Sequence, residues 1–389
     1  MQYRPRTSHK PPVQRIALFL PSLRGGGAER VMLTIAGELA DRGHEIDLVL
    51  CQAVGAYMQE IPRNVQLVDL HNGRLSRCLM PLLNYLNRRK PDALLSTMRH
   101  ANLLAIFAKL VSPHPFRLIV REANTISTHL AEENNLKERY MPWLMKLLYP
   151  RADVVVAVSR DTRQDLITHS GVDPEHIRII YNPVVSDQLY EQARISVTHP
   201  WLNCHTVPVI LAAGRLSRQK DFSTLLDAFA LLRQHTTAKL IILGEGEERS
   251  NLERQARTLG VSEDVDLPGF VNNPFSYMKQ ASLFVLSSLW EGLPNTLIQA
   301  MALGTPVIST DCSGGSREIL RNGALGELVP THSADHLGAA MQKVMQSIAS
   351  PATTLRNQQA TAFCTTEFGI QPIVNQYQHL LTPLAPSTA

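Results

Sequence analysis

The 389-residue sequence contains no continuous apolar run near the ~20 residues that cross a bilayer, so no spanning helix is expected. Its first fifteen residues, MQYRPRTSHKPPVQR, are basic and Pro-containing but lack the apolar core of a secretion signal. Cysteine is sparse: Cys51, Cys78, Cys204, Cys312 and Cys364 are odd in number, scattered, and form no C-x-x-C pair. That argues against a disulfide framework or a zinc site and favours a reducing cytoplasm. Zinc-finger, basic-zipper and RNP-type motifs are missing too, which removes the usual grounds for a nucleic-acid partner. The dinucleotide fingerprint G-x-G-x-x-G is also absent.

What remains is an ordinary globular composition, 44% hydrophobic, in a chain long enough for two domains. Charge is uneven. Residues 1–190 hold 24 Lys and Arg against 18 Asp and Glu, whereas the whole chain is only +4. A basic first half suits an anionic lipid surface or a diphosphate substrate.

Two strand–helix series alternate along the chain. The first opens with RIALFLPSL (15–23), an apolar run suited to a buried parallel strand, and continues through strands at 44–50, 65–70, 92–98, 117–122 and 153–159. Between them, helices are expected at 76–89, 101–111 and 133–149, and after Gly25-Gly26-Gly27, where Val31, Ile35 and Leu39 share one helical face. The second series restarts at 207–216, with strands at 239–246, 265–270, 282–288 and 306–311. The pattern predicts an α/β protein of two doubly wound Rossmann-like domains facing a central cleft. The divisions are a disordered basic lead-in (1–14), a first domain (15–190), a second (191–350), and a C-terminal helix and tail (351–389) that packs back on the first domain. A linker is read at 182–200, an amphipathic helix at 366–381, and a disordered Pro-rich end after it.

The chemistry-bearing residues sit where these strands end. Gly25-Gly26-Gly27 lets backbone approach a ligand at a helix N-terminus, or simply makes a tight turn. Arg215 and Lys220, five apart just past a strand, can neutralise a diphosphate, while Arg218 reads as a solvated basic turn. Glu291, in Trp290-Glu291-Gly292-Leu293-Pro294, places a carboxylate at a Pro-stiffened helix entrance, suited to sugar hydroxyls or to the helix dipole. Asn295-Thr296 can cap the following helix. Gln299 lies about two turns beyond Glu291, on roughly the same face. Asp264-Val265-Asp266 is a strand entrance with two solvated carboxylates rather than a D-x-D metal motif. In the first domain, Arg99, His100, Arg121, Glu122 and Asn124 follow strands and point toward the cleft. Segments 74–90 and 136–151 combine apolar faces with Arg, Lys and aromatics; they either rest on an anionic membrane or pack on the sheet with basic rims.

GGGAERV (25–31), GRLSRQK (214–220), the Gly turns LGEGEER and LPGFVNN, SSLWEGLPNTLIQAMALG (287–304) and GGSRE (314–318) together resemble glycosyltransferase family 4, the group 1 retaining transferases of bacterial surface-polysaccharide type. The resemblance covers about residues 15–350. It implies the GT-B fold, a nucleotide-sugar donor held mostly by the second domain, and an acceptor held mostly by the first. It implies catalytic roles for Glu291, Arg215, Lys220 and His100. Donor contacts fall to Gly26, Gly27, Gly244, Gly246, Phe270, Gly292, Leu293 and Gln299, and acceptor contacts to Arg99, Arg121, Glu122 and Asn124. Family members carry Glu where this chain has Gln299, which predicts altered donor binding through the ribose. The expected partners are a nucleotide sugar, with UDP as its nucleotide, a glycan or lipid-linked acceptor, and an anionic membrane on the cytoplasmic side. No metal or cofactor is expected, because Arg215 and Lys220 supply the positive charge. The rivals are an impaired nucleotide-sugar-binding scaffold and a UDP-sugar epimerase of similar architecture.

Overall fold

The computed structural model describes residues 13–127, 136–204 and 207–382. The expectations for most of the lead-in and for the Pro-rich end fall outside those residues, as do positions 133–135 of the predicted helix at 133–149.

Two all-parallel sheets carry the architecture. The first contains β1 (Arg15–Leu20), β2 (Glu45–Leu50), β3 (Val65–Asp69), β4 (Ala93–Thr97), β5 (Arg117–Glu122), β6 (Val154–Ala157) and β7 (Ile177–Ile179), in the order 3-2-1-4-5-6-7. The second contains β8 (Val209–Ala213), β9 (Lys239–Leu243), β10 (Val265–Gly269), β11 (Leu283–Leu286), β12 (Val307–Thr310) and β13 (Glu327–Val329), in the order 10-9-8-11-12-13. This is the doubly wound GT-B arrangement. The strands are apolar on both faces because helices cover both. In β1, Ile16, Leu18 and Leu20 pack into one core while Ala17 and Phe19 pack into the core on the opposite face. Strands β7 and β13 were not anticipated; each is three residues long, too short to show a period.

The supposed linker at 182–200 is more ordered than expected, holding a helix at Asp187–Ala193. The single C-terminal helix is in fact two, Pro351–Glu367 and Ile370–Leu381, broken at Phe368-Gly369. Ala360 and Cys364 of the former join the core of the second domain. The latter buries Ile373, Val374, Tyr377 and Leu381 against the first sheet, where Arg42 reaches the side chains of Gln371, Asn375 and Gln378 at 2.6–2.7 Å. The chain therefore crosses between the domains twice. The crossings lie side by side, with the N–H groups of Val184 and Val185 both donating to the Phe368 carbonyl at 2.9 Å.

Candidate active site in the cleft

In each sheet the strand order reverses once, between β1 and β4 and between β8 and β11. Ligands of such folds bind beyond the strand C-termini at that reversal. The four loops leaving these strands hold Gly25–Gly27, Arg99–His100, Arg215–Lys220 and Glu291.

Two of these loops are stitched together. The loop after β8 runs from Gly214 to a short 3-10 turn at Arg218–Lys220 and then to Asp221, whose φ of 45° and side-chain bond to the Thr224 N–H start helix Phe222–Arg233. Across from it, the Ser287 hydroxyl donates to the Lys220 carbonyl at 2.7 Å, and the Gln219 amide donates to the Trp290 carbonyl at 2.9 Å. The Leu289 N–H donates to the Gln219 carbonyl at 2.8 Å. These bonds hold Lys220 against Glu291, to whose Oε1 its ammonium donates. The Ser288 hydroxyl donates to the same oxygen at 2.7 Å. Glu291 is buried, whereas Arg215 stands exposed at the mouth of the loop and forms no ion pair among the described residues. Beside the pair, Cys312 is buried, and burial first, then the Glu291 charge, pushes its thiol up to about 11. A thiol raised this far is mostly protonated at ordinary pH.

The glycines of this region permit backbone-on-backbone packing. A Cβ at Gly244 would lie 1.9 Å from the Gly214 carbonyl oxygen, and one at Gly246 would lie 2.2 Å from that of Leu216. Gly292 meets the other domain: its Cβ would fall 1.7 Å from the carbonyl oxygen of Ala123, just past β5. Asn124 lies at the same contact. Gly27 faces Asn295 across the cleft, its Cβ position being 3.4 Å from the Asn295 amide nitrogen. Phe270 is an exposed aromatic after β10, at 52%.

Several expectations are corrected. The glycine loop does not offer all its N–H groups to a ligand, because the buried Glu29 carboxylate accepts from Gly25 (2.8 Å), Gly26 and Arg24 (3.3 Å). Only N–H groups from Gly27 onward, in the first turn of helix Gly27–Asp41, lie beyond its reach. Arg121 and Glu122 do not line the cleft. They end a central strand covered on both faces and are 1% and 2% exposed. Arg121 donates to Thr97 Oγ1 at 3.0 Å and to Asn182 Oδ1. Glu122 accepts from Tyr149 and from Asn102 at 2.9 Å, and burial pushes its carboxyl above the usual range against the pull of Arg99. Asn295 does not cap its helix: the N-cap is Pro294, and the Asn295 side chain accepts from Asn182 at 2.6 Å. Glu291 precedes that helix, so it shares no helical face with the half-buried Gln299. Leu293 is a core residue whose carbonyl accepts from Asn182, so a ligand could meet only its backbone. Asp264 is not a solvated carboxylate, because it pairs with Arg233 and Lys239, whereas Asp266 stays 42% exposed while touching His199 at 2.9 Å.

His100 is exposed and Arg99 half-buried on the first turn of helix Arg99–Val111. Met98 before them holds φ 74°, a strained value for a side-chain-bearing residue at a strand–helix turn in the cleft. The residues missed from sequence are Glu29, Ser288, Gln219 and Asn182. Only Glu29 carried a signal, its place three residues after Gly26, from which a carboxylate can reach back to the N-cap N–H.

Known families match both halves of the chain. Residues 25–188 match the family described as Glycosyltransferase Family 4, and residues 201–359 match Glycosyl transferases group 1. The chain belongs to glycosyltransferase family 4. The transferase, which moves a sugar from a nucleotide sugar, is 28% identical over 344 residues to a Campylobacter jejuni enzyme, covering 86% of this chain and 91% of the relative. That relative is named N-acetylgalactosamine-N,N'-diacetylbacillosaminyl-diphospho-undecaprenol 4-alpha-N-acetylgalactosaminyltransferase. It is also 28% identical over 326 residues to the lipopolysaccharide core biosynthesis glycosyltransferase LpsE of Rhizobium meliloti, covering 83% and 86% of the two chains. Its fold superposes on the Anabaena protein HepE, solved with UDP-glucose, with a TM-score of 0.78 at 21% identity over 95% and 100% of the two chains.

Proposed function

We propose that this transferase carries a sugar from a UDP-sugar, with retention of anomeric configuration, to a glycan or lipid-linked acceptor in surface-polysaccharide assembly. The observation that carries the reading is the Lys220–Glu291 pair, held at the strand-order reversal with Arg215 exposed beside it. The Lys220 ammonium rests on Glu291. A donor diphosphate draws Lys220 and Arg215 to its oxygens, where they offset the charge that grows as the diphosphate departs. Glu291 is then free to accept from a sugar hydroxyl.

Burial keeps the Cys312 thiol protonated, and departure and attack take place on one face of the sugar. The bond from the anomeric carbon to the phosphate oxygen breaks and the acceptor oxygen bonds to that carbon. The acceptor's proton passes to a departing phosphate oxygen. Exposed Phe270 offers an apolar face for the base, and Gln299 an uncharged amide for the ribose. Arg99, His100 and Asn124 remain on the acceptor side. The UDP of the HepE complex supports the donor, and the diphospho-undecaprenol in the Campylobacter enzyme's name supports a lipid-linked acceptor.

No described helix is long and apolar enough to cross a membrane. The first domain nevertheless exposes Tyr140, Trp143 and Leu147 on helix Leu136–Leu148, and Phe107, Leu110 and Val111 on the neighbouring helix Arg99–Val111. With exposed Lys146 among them, this surface fits a peripheral contact with anionic lipid. Segment 74–90 contributes only Met80, because Leu82, Tyr85 and Leu86 are buried in the core.

The test is incubation of purified protein with a panel of nucleotide sugars and lipid-linked acceptors, reading free nucleoside diphosphate and glycosylated lipid. Donor binding without turnover on any acceptor would support the scaffold rival instead. Flotation with anionic liposomes at low and high salt tests the surface, which loses its lipid if Trp143→Ser binds as well as wild type.

A further inference from the structure

Two hydrogen bonds cross between the domains with carboxylate acceptors facing opposite ways. Asp161, in the first turn of the ten-residue helix Arg160–His169, accepts from the Gly314 N–H at 3.1 Å. Glu318, on the second domain, accepts from the Arg160 N–H at 2.8 Å. Arg160 opens its helix, so its N–H has no partner within the helix and lies at the positive end of the dipole. Ser159 already satisfies the Thr162 N–H at 3.1 Å, so Glu318 takes a different donor of the same end. The Arg160 N–H meets Oε2 of Glu318, while its Oε1 is buried without a hydrogen-bond partner. Burial raises its carboxyl above the usual range, while the Arg160 N–H and the Tyr181 hydroxyl draw it back.

The segment gripped in this way supports the catalytic carboxylate. The Glu291 N–H donates to the Ser313 carbonyl at 2.9 Å, and the Gly315 N–H donates to the Gly292 carbonyl at 3.0 Å. Gly314 holds φ 113°, and a Cβ there would lie 2.2 Å from the Glu291 carbonyl oxygen. Any shift of 313–318 against the first domain therefore moves Glu291 and Gly292 relative to whatever the first domain holds.

We propose that Asp161 and Glu318 form a reciprocal latch that closes the two domains on each other and positions Glu291 for transfer. Neither touches reacting atoms, so both are positioning residues. The latch uses one carboxylate from each domain on a backbone N–H of the other. It therefore forms only when the domains are in register, and either half alone leaves a carboxylate and an N–H without their partners.

The experiment compares Asp161→Asn, Asp161→Ala, Glu318→Gln, Glu318→Ala and the double alanine variant with wild type. Small-angle scattering of the unliganded protein and steady-state kinetics with the best UDP-sugar are the readouts. The alanine variants are expected to show a larger radius of gyration, and kcat lower by about 10- to 100-fold with KM for the donor within about twofold. The amide variants, which keep an acceptor oxygen in place, fall between them and wild type. The double variant loses little more than one single, as two halves of one latch require. Unchanged scattering across the series overturns the latch, and needs no donor, so it stands apart from failure of the UDP-sugar reading. Loss of melting temperature with kcat and scattering intact also overturns it, as does a rise in KM at constant kcat.

Discussion

The Lys220 ammonium and the Ser288 hydroxyl converge on one oxygen of Glu291, so Lys220 and Glu291, the two residues expected to carry the chemistry, neutralise each other. Their side chains are only 17% and 9% exposed, and each is held there by the crossed bonds between the loops after β8 and β11. A pair this dry is costly to break by halves, because the survivor is left charged and unpaired. A donor diphosphate can separate the pair only by replacing the carboxylate with its own oxygens.

Glu291→Ala and Lys220→Ala should each lower turnover by about 100-fold or more. Lys220→Ala should also destabilise the fold by about 3 kcal/mol, since it strands the more deeply buried carboxylate. Glu291→Ala strands the more exposed ammonium and should cost less. The double variant should recover stability over Lys220→Ala and stay inactive. Denaturant unfolding and nucleotide release read both effects, and near-normal turnover in both single variants would remove this site.

Gln299 has no side-chain hydrogen bond among the described residues and sits half-buried on helix Asn295–Ala302. Charge-assisted bonds are about twice as strong as neutral ones. Gln299→Glu should therefore tighten UDP by roughly 3- to 10-fold with kcat nearly unchanged. Calorimetric titration with UDP decides it; equal affinity in the two proteins would place Gln299 away from the nucleotide.

Cys312 tests the absence of a thiol nucleophile. Its pKa is raised to about 11, so the protonated form prevails until the pH approaches that value. Alkylation of Cys312 in the folded protein should stay slow from pH 7 to 9, and Cys312→Ser should keep turnover within about twofold. Rapid alkylation near neutrality, or loss of turnover in the serine variant, would restore it as a candidate.

Much of this site was legible because it lies at strand ends. Apolar runs mark β1, β4, β8 and β11 plainly, and a cation or glycine just beyond such a run is a cleft residue whenever the sheet reverses there. Arg121 and Glu122, the last residues of β5 and away from that reversal, lie outside this rule. Position at a strand end does not reveal which face is covered, and both turn inward to Thr97, Asn182, Asn102 and Tyr149. Asn182 and Asp161 carried no signal, since the partners they meet across the cleft lie more than a hundred residues away. The break at Phe368-Gly369 was hidden because Ile373, Val374 and Tyr377 continue an apolar face up to it, while the bond that breaks the helix goes to Val185.

Glu29 gives the glycine loop its shape. Its carboxylate collects the N–H groups of Arg24, Gly25 and Gly26, leaving the first turn from Gly27 onward to face Asn295. Glu29→Gln turns an acceptor into a group that also donates, and its amide hydrogens would meet those N–H groups. A loss of about 1 kcal/mol in stability is expected, of the size of a lost helix cap, with a weaker donor KM. An unfolding curve and a donor titration that both match wild type would show that the loop holds its form without the carboxylate.

Gly292→Ala separates closure from folding. The positive-φ residues do not include Gly292, so its backbone suits any residue, and what excludes a Cβ is the Ala123 carbonyl of the other domain at 1.7 Å. Within the second domain no atom comes so near, so the variant should fold and keep a melting temperature close to wild type. Across the cleft the methyl acts as a wedge that must be relieved by parting the domains. Turnover should fall by about 100-fold, since a misplacement of about 1 Å is enough for that. UDP, held mostly by the second domain, should bind within about threefold of wild-type affinity, because the wedge removes none of its contacts. Full turnover in Gly292→Ala would mean that transfer proceeds without this contact, and that the cleft works in a more open form than the one seen here.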